Sequence, residues 1–432
     1  MTTETPVAGC GLRNMGPQTA DCGQPASLNP QVASRNPRPD PLLPVYKRHP
    51  VEFVRGAGIE LFDAEGKAYL DFVSGIAVNA LGYGDAGVEG AMREAMASGM
   101  LHVSNLYHSG PARALADALV SRSCASRVFF CNSGAEANEG AFKLARRWAR
   151  SSGSGVNDGA KHEIIALRGG FHGRLFASLA ATDRPAYRAP FRPLAGGVSI
   201  AERDLGELAV MLDTETVAAV IVEPVQGEGG VRVLDPSFLR GLRELTRDRR
   251  IALIFDEIQC GLGRTGSLFA YERSGVEPDI VTLAKPLAGG LPMGAVLVSE
   301  EIASAVRYGD HGSTFGGGPF VASVALHVLE RLSDPLLLAA VRDNGAWFGA
   351  QLAALAEPGS QRAGRIRGVR GVGYIWGVDT PAKAGDIVER ALGRGLLLCT
   401  AGEHTLRFLP PLVATRDDLA RGLALLEEAL AA

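Results

Sequence analysis

From about residue 86 to 320, short apolar runs alternate with longer stretches of helical period. The runs are RVFFCN, HEIIAL, VAAVIVEP, IALIFDE, DIVTLAK and GAVLVS. Each is too short for a helix and too continuously apolar for a strand with a wet face. The alternation predicts a mostly parallel α/β sheet with helices on both faces. Ahead of it, LLPVYKRHPVEFVRGAGIELFDAEGKAYLDF holds short β-rich runs split by DAEGK, an antiparallel meander. After about 320 come a long helical stretch, then VRGVGYIWGVD, GLLLCTAG and HTLRFLPPL, then a closing amphipathic helix. That order predicts a smaller α+β domain. The expected boundaries are an extension at 1–40, an N-terminal segment at 41–85, a large domain at 86–320 and a small domain at 321–432. The extension is rich in Pro, Gly, Ser, Thr and Asn without hydrophobic period, which predicts disorder. SSGSGVNDGA (151–160) reads as a surface loop.

Composition narrows the function classes. A chain of 432 residues, 46% hydrophobic, can bury a large core in two or three domains. A net charge of −3 gives no electrostatic reason to expect nucleic acid or an anionic membrane as partner. No apolar run approaches the ~18–20 residues of a spanning helix. The N-terminus shows neither a secretory signal nor an Arg-rich transit pattern, so a cytoplasmic protein is expected. Six cysteines are scattered, at 10, 22, 124, 131, 260 and 399, with no CxxC pair. They read as reduced thiols, and no metal is expected.

Three of the apolar runs end on a charge. AAVIV leads into Glu223, IALIF into Asp256 and DIVTLA into Lys285. In open α/β sheets ligands bind at the carboxyl ends of strands. Two acids and a lysine gathered there predict a site, although Asp256 and Lys285 as a structural ion pair remains open. A fourth run leads into NSGAEANEGAFKLARRW, where Ser133 and Glu136 have capping-box spacing. A small-residue turn feeding a helix N-terminus can bind an anion, or it is an ordinary capped helix. The usual nucleotide fingerprints are missing. A phosphate site, an acid and a lysine at strand ends match the needs of pyridoxal 5′-phosphate. That cofactor needs a phosphate anchor, a Schiff-base lysine and a carboxylate for its ring nitrogen.

With these residues in view, the chain resembles class III (ornithine-type) pyridoxal-phosphate aminotransferases, of fold type I, most of all the acetylornithine-type members. The motifs are DFVSGIAVNALG, HVSNLYH, FFCNSGAEANEGAFKLAR, FHGR, VEPVQGEGGV, DEIQCGLGRTG, LAKPLAGGLPMGA, HGSTFGG and LRFLPPL. They span nearly everything from about residue 42 onward. The resemblance implies that Lys285 holds the cofactor and then shuttles the proton. It implies that Asp256 pairs with the ring nitrogen and that Gln259 lies near the ring hydroxyl. Gly134 and Ala135 would offer backbone N–H groups to the phosphate, and Phe171 would stack on the ring. Thr314 would bind phosphate in the partner subunit of a homodimer. Arg174 would hold the α-carboxylate of the amino donor, with Ser313 beside it. Arg407 would take the carboxylate of 2-oxoglutarate or glutamate and pair with Glu223 in its absence.

The implied reaction is reversible ping-pong transfer of the terminal amino group of N2-acetylornithine to 2-oxoglutarate, in arginine biosynthesis. Succinylornithine, ornithine, 4-aminobutyrate or a carrier-linked lysine precursor as donor, and an aminomutase, stay open. Four departures from the family pattern stand out. GHxHP is replaced by GYGDAG (ending Tyr83–Gly87), which alters that loop. Leu175 follows FHGR in place of threonine, and Gly318 replaces asparagine. Pro286 follows the lysine and is expected to bias Lys285 toward extended backbone.

Overall fold

The computed structural model describes residues 41–151, 161–360, 362 and 364–431. The expected extension at 1–40 and most of the 151–160 loop lie outside the described residues. Residues 41–50 are exposed and carry no helix or strand.

The centre is a seven-stranded sheet. Its strands are β1 (Arg127–Cys131), β2 (Glu163–Leu167), β3 (Val198–Ala201), β4 (Val217–Val222), β5 (Ala252–Asp256), β6 (Ile280–Leu283) and β7 (Gly294–Val298). The spatial order is β1-β7-β6-β5-β4-β2-β3. Only β7 runs against its neighbours, pairing antiparallel with both β6 and β1. All six apolar runs are strands. The sequence reading missed β3, an edge strand of four residues that is only partly buried. Every residue of β4, β5, β6 and β7 is buried, which explains why these runs show no alternation. Helix α1 (Gly134–Ser151) follows β1 and buries Ala141, Phe142, Ala145 and Trp148 against the sheet.

Two smaller sheets flank this core. Phe53–Ala57, Glu60–Asp63 and Ala68–Asp71 form the meander, with DAEGK as its second turn. Leu396–Leu397 adds to it in parallel, so the N-terminal segment and the C-terminal region share one sheet. The other sheet contains Gly368–Val372, Ile375–Asp379, Thr405–Phe408 and Cys399–Thr400. Arg407 sits on its third strand, opposite Gly377 on one side and Cys399 on the other.

Lys285 departs from expectation. β6 stops at Leu283, and Lys285 opens a 3-10 turn, Lys285–Ala288, with φ of +27°. Pro286 did not hold it extended. The lysine is bent into a sparsely populated conformation that surrounding packing must maintain.

The core makes a direct prediction. Ile254, fully buried at the middle of β5, packs between helices and sheet. Ile254→Ala should cost about 2–5 kcal/mol of stability, read from chemical denaturation.

Candidate active site

The carboxyl ends of β1, β2, β4, β5 and β6 converge on one cluster of polar side chains. Asp256 ends the central strand β5 and is 3% exposed. Its Oδ2 accepts from Asn138 Nδ2 at 2.8 Å and lies 2.8 Å from His172 Nδ1. Its Oδ1 accepts from the Ile258 amide at 3.1 Å. Asn138 is itself fixed, because Thr282 Oγ1 donates to its Oδ1 at 2.8 Å and its Nδ2 also donates to the His172 carbonyl at 2.7 Å. A buried carboxylate is tolerated only when donors replace its water. Here α1, the β2 loop and β6 each contribute one link. Asn138, His172 and Thr282 were not singled out from sequence. His172 stands beside Phe171 in FHGR, but nothing local shows that its ring turns toward Asp256, 84 residues away.

The alternative of an Asp256–Lys285 ion pair is not what forms. Among the described residues Asp256 pairs with His172, and the Lys285 ammonium has no hydrogen bond or ion pair. Burial lowers the pKa of Lys285; Asp256 pulls it up, Arg407 pushes it down, and Glu228 and Glu223 pull it up. The lysine is therefore poised among three carboxylates and a guanidinium without being tied to any.

Glu223 is also buried. Its Oε1 accepts from the Phe171 amide at 2.8 Å and its Oε2 from the Gly227 amide at 3.1 Å. Burial raises its pKa to about 7, with His172 lowering it and Asp256 raising it. The expected Glu223–Arg407 pair does not form among the described residues. Arg407 pairs with Glu228, whose Oε1 lies 2.6 Å from Nη2. Glu223 is occupied by two backbone amides and shapes the loop that carries Phe171. Arg407 is 2% exposed, and its other donors go to Gln259 Oε1 at 3.0 Å and Cys399 Sγ at 3.4 Å. Burial opposes its charge, but Cys399 and Glu228 outweigh that and raise its pKa.

The helix N-terminus has the expected form with one shift. Ser133 Oγ accepts from the Glu136 amide at 3.2 Å, and the Glu136 carboxylate caps the Asn132 amide at 2.7 Å. Gly134 begins α1, and Ala135 lies against Gly173 of FHGR, where an added Cβ would come within 2.8 Å of Ala135 Cβ. This packing brings the turn and the Phe171 loop together. Phe171 is half-buried. Ser313 Oγ accepts from Asn132 Nδ2 at 3.1 Å, next to the same turn. Thr314 is exposed and lines a cavity of about 530 Å³ with His102, Asn105 and Ser313. Arg174 is exposed, its guanidinium 4.1 Å from the centre of the Tyr187 ring. Stacking of this kind holds a guanidinium plane while leaving its edge free for a carboxylate.

One glycine sets the position of the turn. A Cβ on Gly294, the first residue of β7, would lie 2.6 Å from the Ser133 carbonyl oxygen. Gly294→Ala should push Ser133 and the α1 amides out of place. Affinity for a phosphate-bearing cofactor should fall at least about ten-fold, the equivalent of one good hydrogen bond. Titration of the apoenzyme by visible absorption measures it, and unchanged affinity would rule out that turn as the anchor.

The likeness to known proteins is broad. The model of Aminotransferase class-III matches residues 44–430. The mitochondrial acetylornithine aminotransferase of Alnus glutinosa is 46% identical over 393 residues, covering 90% of this chain and 86% of that protein. The succinylornithine transaminase of Yersinia enterocolitica is 42% identical over 389 residues, covering 89% of this chain and 93% of its own. An ornithine aminotransferase structure from Toxoplasma gondii, described with partial occupancy of PLP at its active site, superposes with a TM-score of 0.83 at 31% identity, covering 89% of this chain and 91% of that one. A model match over nearly the whole described chain, with an acid, a lysine and a helix N-terminus gathered at the strand ends, makes this chain a member of the class III aminotransferases.

Proposed function

We propose that the protein is a pyridoxal-phosphate transaminase that moves the terminal amino group of N2-acetylornithine to 2-oxoglutarate. The observation that carries the reading is the Arg407–Glu228 pair at 2.6 Å beside Lys285. A buried arginine with a removable counter-ion suits a site that takes two substrates of different charge. With a dicarboxylate present, Arg407 binds its carboxylate as a fork. With the acylated donor present, Glu228 stays on Arg407 and keeps the charge compensated. Arg174 holds the α-carboxylate of the donor, with Ser313 beside it.

The residues fit the cofactor on several independent counts. Asp256 presents a buried carboxylate held by donors on both oxygens. Among the described residues Lys285 makes no hydrogen bond or ion pair, and α1 begins in the same region. Gly134 and Ala135 would hold the phosphate by backbone N–H groups, Phe171 would pack on the ring, and Gln259 would face its hydroxyl. The bound cofactor supplies an electron sink for negative charge at the amine-bearing carbon. Asp256, held by His172 and Asn138, would keep a proton at the ring nitrogen. Lys285, its pKa lowered by burial, would take the proton from the substrate's amine-bearing carbon and deliver it to the cofactor carbon on the far side of the shared nitrogen. Thr314, exposed in the single chain, reaches the phosphate site of a second copy in a homodimer. The reading places the reaction in the cytoplasm, in arginine biosynthesis.

A comparison of kcat/KM for acetylornithine, succinylornithine, ornithine and 4-aminobutyrate, each with 2-oxoglutarate, tests the substrate. Acetylornithine should lead, and a higher value for succinylornithine would move the assignment to the activity named for the Yersinia relative. Arg407→Ala should raise KM for 2-oxoglutarate by about a hundred-fold, while KM for the donor rises far less. Equal effects on both substrates would remove Arg407 from the acceptor site.

A further inference from the structure

The loop that departs from the family pattern has a structural partner. After the meander strand Ala68–Asp71, the chain makes a turn in which four successive residues have positive φ: Ser74 (+46°), Gly75 (+64°), Ile76 (+64°) and Ala77 (+65°). Left-handed backbone is disfavoured for any residue with a side chain, and a β-branched isoleucine is a poor occupant of it. Runs of this kind persist only where neighbours over-determine them.

The neighbours are specific. Asp71 is 1% exposed, and its Oδ1 accepts from the amides of Val73 and Ser74 at 2.8 and 2.9 Å. Its Oδ2 accepts from the Tyr83 hydroxyl at 2.6 Å. Asn79 Nδ2 donates to the same hydroxyl at 3.2 Å. Tyr83 is anchored in turn by a two-way backbone bridge to Gly58, at 2.7 and 2.9 Å, and its ring covers Gly56. Burial raises the pKa of both Asp71 and Tyr83.

The turn held in this way touches both halves of the site. Ser74 Oγ donates to the Leu409 carbonyl at 2.7 Å, and the Leu409 amide donates to Phe72 O at 2.7 Å. Those bonds grip the end of the strand that carries Arg407. On the other side the turn packs against Lys285–Ala288, and Asn79 Oδ1 stands 3.3 Å from where a Cβ on Gly290 would lie. The turn is therefore a spacer between the lysine segment and the arginine strand.

We propose that Tyr83 is a positioning residue: through Asp71 and Asn79 its hydroxyl locks the Ser74–Ala77 turn, which sets the lysine segment relative to the Arg407 strand. It touches no reacting atom. The inference rests on the transaminase reading for its activity arm alone.

The test compares wild-type and Tyr83→Phe holoenzyme by amide hydrogen exchange and by steady-state kinetics. Losing the hydroxyl should raise exchange across residues 73–80 by about ten-fold, the equivalent of one charge-assisted hydrogen bond. Exchange in the seven-stranded sheet should stay at the wild-type rate. The kcat should fall about ten-fold, with KM for 2-oxoglutarate within about two-fold. Unchanged exchange at 73–80, or a rise shared equally by the sheet, overturns the proposal. So does a wild-type kcat accompanying a loosened turn. Asn79→Ala, which removes one donor to the hydroxyl, should loosen the same segment less, and it serves if Tyr83→Phe does not accumulate. A wild-type enzyme inactive on acetylornithine would overturn the substrate reading instead, leaving the exchange comparison to decide the role of Tyr83.

Discussion

The site depends on one constraint: a carboxyl group has to be accommodated at the end of a fully buried central strand. Asp256 ends a strand whose five residues are all buried. Water cannot reach it in bulk, so its compensation has to come from protein donors. The answer is a network crossing three elements, with Thr282 orienting Asn138, and Asn138 and His172 meeting on one oxygen. Because each member is buried, a shift in any one would leave another without its partner. This explains how the end of β6, the first turns of α1 and the loop after β2 come to share a common geometry. It also leaves His172 Nε2 buried on its far side with no hydrogen-bond partner among the described residues.

Around that carboxyl group the other charged side chains compete for partners. Arg407 is held by Glu228, Gln259 and Cys399, and Glu223 by two backbone amides. Each of these groups already has its compensation, and among the described residues of the site Lys285 has no hydrogen bond or ion pair. A buried ammonium is costly, and the environment responds by lowering its pKa. An amine that gives up its proton readily is what a proton shuttle requires. Its unusual backbone, with φ at +27°, fits the same picture: the lysine is aimed by strain held in place by packing.

The large sheet was legible in the sequence because full burial removes the need for alternation, and six continuous apolar runs showed it. β3 was illegible because an edge strand of four partly buried residues carries too little pattern. Strand-end charges pointed to Glu223, Asp256 and Lys285, since a charge that interrupts an apolar run is a local signal. Local signals could not say which glutamate meets Arg407. Glu223 and Glu228 are five positions apart in one loop, and the partner is 179 residues away for Glu228. Only the fold shows that Glu223 is spent on the amides of Phe171 and Gly227. The Lys285 backbone was misread for a related reason. A proline restricts its predecessor statistically, and the tertiary packing around the Lys285–Ala288 turn, chiefly the helix Pro319–Leu332, overrides that preference.

Two strained backbone segments, at Lys285 and at Ser74–Ala77, pack on each other. Neither would persist as an isolated peptide, because left-handed backbone is disfavoured residue by residue. Their coexistence means that the strain is offset by bonds around them: Asp71 holds two nearby amides, and two long-range bonds, Ser74 to Leu409 and Leu409 to Phe72, add to it. Those bonds join the meander to the C-terminal region, which also share the Ala68–Asp71 and Leu396–Leu397 pairing. The N-terminal segment is therefore more than a cover over the core. It carries the turn on which the relative placement of lysine and arginine rests, and the two ends of the chain must come together before the site can acquire its geometry.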